Sequence, residues 1–215
     1  MKKIKMPSII KNTIGQYVSN NLKEYILVLI IFLIGIFIGV MFINNCSEEQ
    51  ETSIISYIDE FIEKFKSMEN LDKSNLLGDS IKSNIGLAVI IWLAGTTIIG
   101  MPVVLGIILF RGFCLGYTIS SVSLAIGTGK SLLFCFMGLA LQNILFIPAV
   151  LTMGVSSIKL YKAIINDRRK ENIKIEIVRH SIISSLMMIV LATSSVLECE
   201  ISVVFLSLGM KQGIF

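Results

Sequence analysis

A glycine-lysine-serine, a few carboxylates, four cysteines, a buried-looking amide pair and one histidine are the residues of this chain that could do chemistry. The run Gly127-Thr-Gly-Lys130-Ser131 invites a nucleotide-binding reading. The phosphate loop needs G-x-x-x-x-G-K-[ST], so that backbone amides wrap the phosphates and the lysine reaches them. Its first glycine would fall at position 124, which is leucine, and no strand precedes it. The run therefore reads as a turn between two helices. Glu60 and Glu63 share a helix face, and paired carboxylates serve glycoside hydrolysis. No pocket-forming sequence surrounds them, so they read as a solvated acidic face. Cys46, Cys114, Cys135 and Cys199 have no C-x-x-C spacing and three lie in apolar runs. They read as small apolar residues rather than ligands or bridges. His180 is expected at a membrane edge. Glu198 and Glu200, two residues apart, point to roughly opposite helix faces and do not make one ion site. No catalytic, cofactor-binding or metal-ligating set is expected, and the chain does not read as an enzyme.

The elements that carry these residues are apolar. The chain has 215 residues, 54% of them hydrophobic and 16% charged, with a mean hydropathy of +0.81. Its charge is gathered into blocks separated by long uncharged runs, the pattern of a membrane protein with several spans. The expected fold class is all-α: a polytopic helix bundle of about five transmembrane helices plus one extracytoplasmic amphipathic helix. The net charge of +4 is a sum over two sides of a bilayer and does not argue for nucleic acid. No nucleic-acid-binding signature is present.

Residues 1–24 form a basic arm with five lysines against Glu24. Residues 25–43 are an uncharged run read as an uncleaved first span, with Gly35 and Gly39 making a small-xxx-small packing face. Residues 44–82 hold nine acids and four lysines. Within them Ile54, Ile55, Ile58, Phe61, Ile62, Phe65 and Met68 recur at three- and four-residue spacing, an amphipathic helix. Two readings of its stripe stand open. It packs on the mouth of the bundle, or Ile54, Ile58, Phe61 and Phe65 form a docking face for another protein.

Residues 83–215 are read as a four-helix membrane core. The run from Ile85 to Phe110 would be roughly 39 Å long as a helix, more than the ~30 Å hydrocarbon core. Pro102 is expected to bend it, and Arg111 to end it at the cytoplasmic surface. Gly95, Gly100, Gly106, Gly112 and Gly116 would let neighbouring helices approach. The next spans are 112–127, 132–158 and 181–197. The amides Gln142 and Asn143 fall inside the fourth and must find partners there, unless they line a substrate site. Residues 159–179 are a second basic block. Residues 201–215 either extend the last helix or fold back along the interface.

Lysine and arginine set the orientation. Thirteen lie in the amino-terminal arm, at 111 and in 159–179, against six on the other side. The amino terminus and 159–179 are therefore expected in the cytoplasm, with 44–82 and the carboxyl terminus outside.

The order of these features resembles a known family. It runs Asn84…Trp92-Leu-Ala-Gly95…Gly100-Met-Pro102…Arg111-Gly-Phe-Cys-Leu-Gly116-Tyr117, then Gln142-Asn143…Ile147-Pro148, and Glu198 at the end of the last span. This resembles stage II sporulation protein M of endospore-forming bacteria over essentially the whole chain. The resemblance implies a non-enzymatic scaffold for engulfment, in the mother-cell and engulfing septal membrane. It implies recruitment of two peptidoglycan-degrading partners, the stage II sporulation proteins D and P. One of these is a lytic transglycosylase and the other an amidase and endopeptidase. Besides the lipid bilayer and these partners, self-association into a homo-oligomer stays open, and no cofactor is implied. The alternative is a small membrane permease or transporter subunit, with a broken helix at Gly100-Met-Pro102 beside Gln142 and Asn143.

Overall fold

In a bilayer, backbone polar groups must be satisfied within the protein, and an uncharged run does this as a helix. The computed structural model of the chain describes residues 16–67, 73–97, 99–127, 129–131, 141–166, 170–197 and 199–200. At 61–62, 64–67, 73–76, 141–142 and 170–172 it describes the backbone alone. The principal helices are α1 (Leu22–Asn44), α2 (Glu48–Ser67), α3 (Lys73–Gly95), α4 (Gly100–Ile126), α5 (Leu141–Asn166) and α6 (Lys170–Leu197). All but α2 contain a stretch long and apolar enough to cross a membrane: Leu22–Asn44, Leu77–Gly95, Gly100–Ile126, Asn143–Asn166 and Ile173–Leu197. This is the all-helical, multi-pass membrane architecture that the charge pattern requires.

Several boundaries differ from the sequence expectation, most of all the turn between the second and third spans. The run 85–110 is not one bent helix, because α3 stops at Gly95 and α4 starts at Gly100. The Thr96 amide bonds to the Trp92 carbonyl, and the Thr97 amide to the Ala94 carbonyl at 3.1 Å. The Gly100 amide then donates to Thr97 Oγ1 at 3.0 Å, which ties the turn to the start of the new helix. Pro102 is the third residue of α4, where the missing N–H has no intrahelical acceptor to lose. It starts a helix rather than bending one. Moving the turn from 111 to 96–99 carries α4 straight through Arg111. That residue is thus well inside a span, not at a surface.

The contacts fix the helix directions. Gly35 and Gly39 of α1 meet Leu109 and Phe113 of α4, while Phe32 and Ile36 meet Gly112 and Gly116. Both pairings advance together, so α1 and α4 are parallel. Helices α3 and α6 are antiparallel: Asn84 bonds to Ser195 and Trp92 to Ser181. Lys162 Nζ, near the end of α5, donates to Glu24 Oε1 at the start of α1 at 2.6 Å. The start of α1 and the end of α5 therefore share one face of the bundle.

Helix α5 is the centre. Its 18-residue window is 61% buried, against 17–28% for the other four. Val150, Met153, Val155, Ile158 and Leu160 are all buried, so it is apolar and covered on every side. Helix α1 shows the opposite pattern. Val28, Phe32, Gly35, Gly39 and Ile43 line one buried stripe, while Ile30, Leu33, Ile34, Phe37 and Ile38 stay exposed for lipid to cover.

Helix α2 opens with a reciprocal capping box. The Ser47 amide donates to Gln50 Oε1 at 3.0 Å, and the Gln50 amide to Ser47 Oγ at 3.4 Å. Glu48, Glu49 and Glu51 fill the first turn, where the helix dipole favours negative charge.

Candidate functional site

The glycines fall into distinct groups. On the α1–α4 seam a Cβ at Gly35 would stand 3.0 Å from the Phe113 amide nitrogen, and one at Gly39 2.7 Å from that of Tyr117. A Cβ at Gly112 would stand 3.1 Å from the Phe32 carbonyl carbon, and one at Gly116 2.9 Å from that of Ile36. Four glycines thus interlock two backbones, with backbone atoms rather than yielding side chains as the obstacles. Gly95 backs onto Ser157 and His180, and Gly100 onto Ala94 and Thr97. Gly106 has open space where a Cβ would go, so it faces away from the other helices.

A polar seam joins α3, α5 and α6. Asn84 Nδ2 donates to Ser195 Oγ at 2.7 Å, and Trp92 Nε1 to Ser181 Oγ at 3.2 Å. His180 is 1% exposed, enclosed between α3 and α5. Its Nδ1 lies 2.9 Å from Ser156 Oγ, and its Nε2 3.4 Å from the Trp92 carbonyl oxygen. That carbonyl can only accept, so Nε2 carries the proton and Nδ1 accepts from the Ser156 hydroxyl. Composition gives no sign of this node, because the run around His180 reads as an interface. The missing signal was Ser156-Ser157, whose pairing with a histidine on the next helix needs the three-dimensional fold.

At the α2 end of the bundle, Phe42, Phe113 and Tyr117 form an aromatic cluster. Phe42 meets Phe113 edge-to-face at 5.9 Å, and Phe113 lies 6.0 Å from Tyr117. Between this cluster and α2 runs a groove of about 340 Å³, lined by Phe42, Cys46, Glu49, Gln50, Ile54 and Tyr117. Of the expected stripe, Ile54 and Ile58 are half-buried, while Tyr57 is 69% exposed. Phe61 and Phe65 continue α2, but their side chains lie outside the described residues, as does that of Gln142.

A second cleft, of about 130 Å³, opens inside the membrane region. Phe32 of α1, Arg111, Cys114 and Thr118 of α4, and Asn143 and Phe146 of α5 line it. The Arg111 guanidinium carbon stands 4.9 Å from the centre of the Phe146 ring. Asn143 is half-buried, near the start of the described part of α5. Pro148 sits inside α5, where Thr152 Oγ1 donates to its carbonyl at 2.7 Å. The turn between α3 and α4 lies at residues 96–99, and Gly100-Met-Pro102 open α4. Among the described residues, no three His, Cys, Asp or Glu side chains gather as a metal site.

A family model described as stage II sporulation protein M matches residues 28–203, most of the chain. No curated protein and no solved structure matches it.

Proposed function

Because the chain belongs to the stage II sporulation protein M family, we propose that it is a non-enzymatic membrane scaffold for engulfment during endospore formation. It holds the peptidoglycan-degrading stage II sporulation proteins D and P at the mother-cell and septal membrane. The observation that carries this reading is the seating of α2. An acidic amphipathic helix lies over the ends of α1 and α4 and leaves an apolar-floored groove beside Ile54. Such a groove at the mouth of a bundle suits a membrane-proximal segment of another protein. Orientation supports it. With Arg111 inside a span, twelve basic residues still stand against six, which favours an amino terminus and a 159–179 block in the cytoplasm. Helix α2 then faces the cell wall, where the substrate of wall-degrading partners lies.

The test is affinity purification of the tagged protein from sporulating cells. The wild type should bring down two membrane-anchored wall hydrolases. Ile54→Glu with Ile58→Glu should leave the protein inserted while recovery falls at least tenfold. Recovery of neither hydrolase with the wild type would end the scaffold reading. Undiminished recovery with the double variant would move the docking site away from α2.

A further inference from the structure

The groove between α2 and the ends of α1 and α4 has an aromatic floor and an acidic rim. Phe42 and Tyr117 make the floor, with ring centres 6.2 Å apart. Phe42 is 53% exposed, so α2 leaves it largely uncovered. Glu49 stands on the rim. Among the described residues, no cation comes within salt-bridge distance of the Glu48, Glu49 or Glu51 carboxylate. Residues 44–63 hold six acids and neither lysine nor arginine. The adjoining spans add no base, since 25–43 and 112–126 carry no charge. The nearest bases in sequence are Lys130, past the end of α4, and Lys64, roughly 22 Å along α2 from Glu49 at ~1.5 Å per residue. The start of α2 contributes about half a positive charge from its dipole. Glu48, Glu49 and Glu51 in its first turn outweigh that, and the rim is net negative. The groove lies where the apolar run of α1 gives way to charge. Phe42 is inside that run, and Cys46 and Glu49 stand just past it, at the level of the membrane surface.

We propose that this groove receives a basic side chain, arginine above all, from the stretch of a partner that lies immediately outside the end of its single transmembrane helix. The assignment rests on the scaffold reading and names the chemistry of the segment that the groove takes. Charge complementarity selects the occupant. Ring faces attract a cation from below, and a rim carboxylate pairs with it from the side. Arginine suits both, because its planar guanidinium stacks on a ring while forking to a carboxylate. Other occupants fit worse. The rim repels anionic lipid headgroups. A second copy of the chain would bring its own acidic α2, and the two helices would repel. A folded domain is too large. The groove, of about 340 Å³, is at the lower end of the ~300–1,000 Å³ of small-ligand pockets and takes one or two side chains.

The test uses the full-length protein in phosphatidylcholine nanodiscs, which leave both faces accessible. The probes are synthetic leucine-alanine transmembrane peptides with a pair of Arg or a pair of Gln just beyond one end and neutral Gly-Ser at the other. Association is read by energy transfer between a dye beside that pair and a dye at position 57, where the tyrosine is 69% exposed. The Arg peptide should associate at least tenfold more tightly than the Gln peptide, with the advantage shrinking as salt screens it. Glu49→Gln should cut the preference at least threefold. Ser53→Trp, which fills the groove and keeps the charge, should abolish it. Both positions are exposed on α2, so neither variant disturbs the packing of the bundle. Glu63→Gln removes a carboxylate roughly 21 Å further along the helix and should leave the preference nearly intact. Equal association of Arg and Gln peptides with the wild type overturns the proposal. So does a preference that survives either Glu49→Gln or Ser53→Trp. A loss as large with Glu63→Gln as with Glu49→Gln also overturns it, since the charge of the whole helix would then be the attractant. Complete displacement by phosphatidylethanolamine would give the site to a lipid ammonium, and transfer between two labelled copies that Ser53→Trp abolishes would give it to a second copy; either overturns the proposal. Recruitment of hydrolases in cells is a separate readout. A failed peptide preference leaves the scaffold reading standing, and a failed purification leaves the preference of the groove standing.

Discussion

Asn84 and Ser195 stand 111 residues apart in sequence and are joined by a 2.7 Å hydrogen bond from Asn84 Nδ2 to Ser195 Oγ, buried where α3 crosses α6. The Ser195 hydroxyl in turn donates to the Leu191 carbonyl at 3.3 Å, so its role as acceptor from Asn84 is preset. Interhelical hydrogen bonds in membranes are worth about 0.6 kcal/mol on average and about 1.7 kcal/mol at most. A double-mutant cycle of Asn84→Leu and Ser195→Ala should give a coupling in that range, measured by steric trapping in bicelles. A coupling near zero would mean that the two side chains do not share a bond in the bilayer.

The α1–α4 seam predicts a sharper effect. Gly35→Leu, Gly39→Leu, Gly112→Leu and Gly116→Leu each drive a side chain into opposing backbone. Each should cost about 1–3 kcal/mol or more, because a backbone cannot rotate out of the way. Gly86→Ala and Gly106→Ala, where nothing lies in the path of a Cβ, should be neutral or mildly stabilising. Thermal unfolding in detergent separates the two sets. Equal effects across all six would show that helix propensity, not close approach, governs these positions.

The number of spans was legible because lipid leaves an uncharged run little choice but a helix, although the expected second span, 85–110, divides between α3 and α4. What misled was Pro102. Proline at a helix start and proline at a helix bend look alike in sequence, and only the turn at 96–99, with the Thr97 hydroxyl bonded to the Gly100 amide, distinguishes them. That one shift also explains the misplacement of Arg111, since a charge in an apolar run reads as a boundary when the helix before it is drawn too long. The burial of His180 was not legible, for a different reason. Its burial depends on Gly95, which leaves room for the ring, and on Ser156, which supplies a hydrogen-bond partner, both on other helices. The apolar stripe of α2 was visible as periodicity. Which side of it meets the bundle depends on Phe42 and Tyr117, which no local pattern links to it.

The reassigned turn makes its own prediction. At the third position of α4, Pro102→Ala should change stability by less than about 1 kcal/mol, since no intrahelical hydrogen bond is missing there. Spin labels at Ile90 and Phe110, both exposed, should report the same separation before and after the change. A large change in separation would restore the bend. Thr97→Ala should do more harm than Pro102→Ala, by about 1 kcal/mol, because it removes the hydroxyl that accepts from the Gly100 amide.

Gly95 offers the most direct check on the buried histidine. A Cβ there would stand 2.8 Å from His180 Nε2 and 2.9 Å from Cε1, closer than carbon tolerates, with the Ser157 hydroxyl beside them. Gly95→Ala therefore forces the imidazole away from the Trp92 carbonyl, and should destabilise the protein by about 1–3 kcal/mol although alanine is the better helix former. His180→Ala removes both the clash and the hydrogen bonds to Ser156 and Trp92. If the ring is the obstacle, Gly95→Ala should cost clearly less when made in the His180→Ala background than in the wild type, as residues in contact are not additive. Adding Ser157→Ala should remove what remains of the penalty, since its hydroxyl is then the last group in the way. Strict additivity of Gly95→Ala and His180→Ala in thermal unfolding would place His180 away from Gly95, and with it the hydrogen bond to Ser156 that depends on the same ring position.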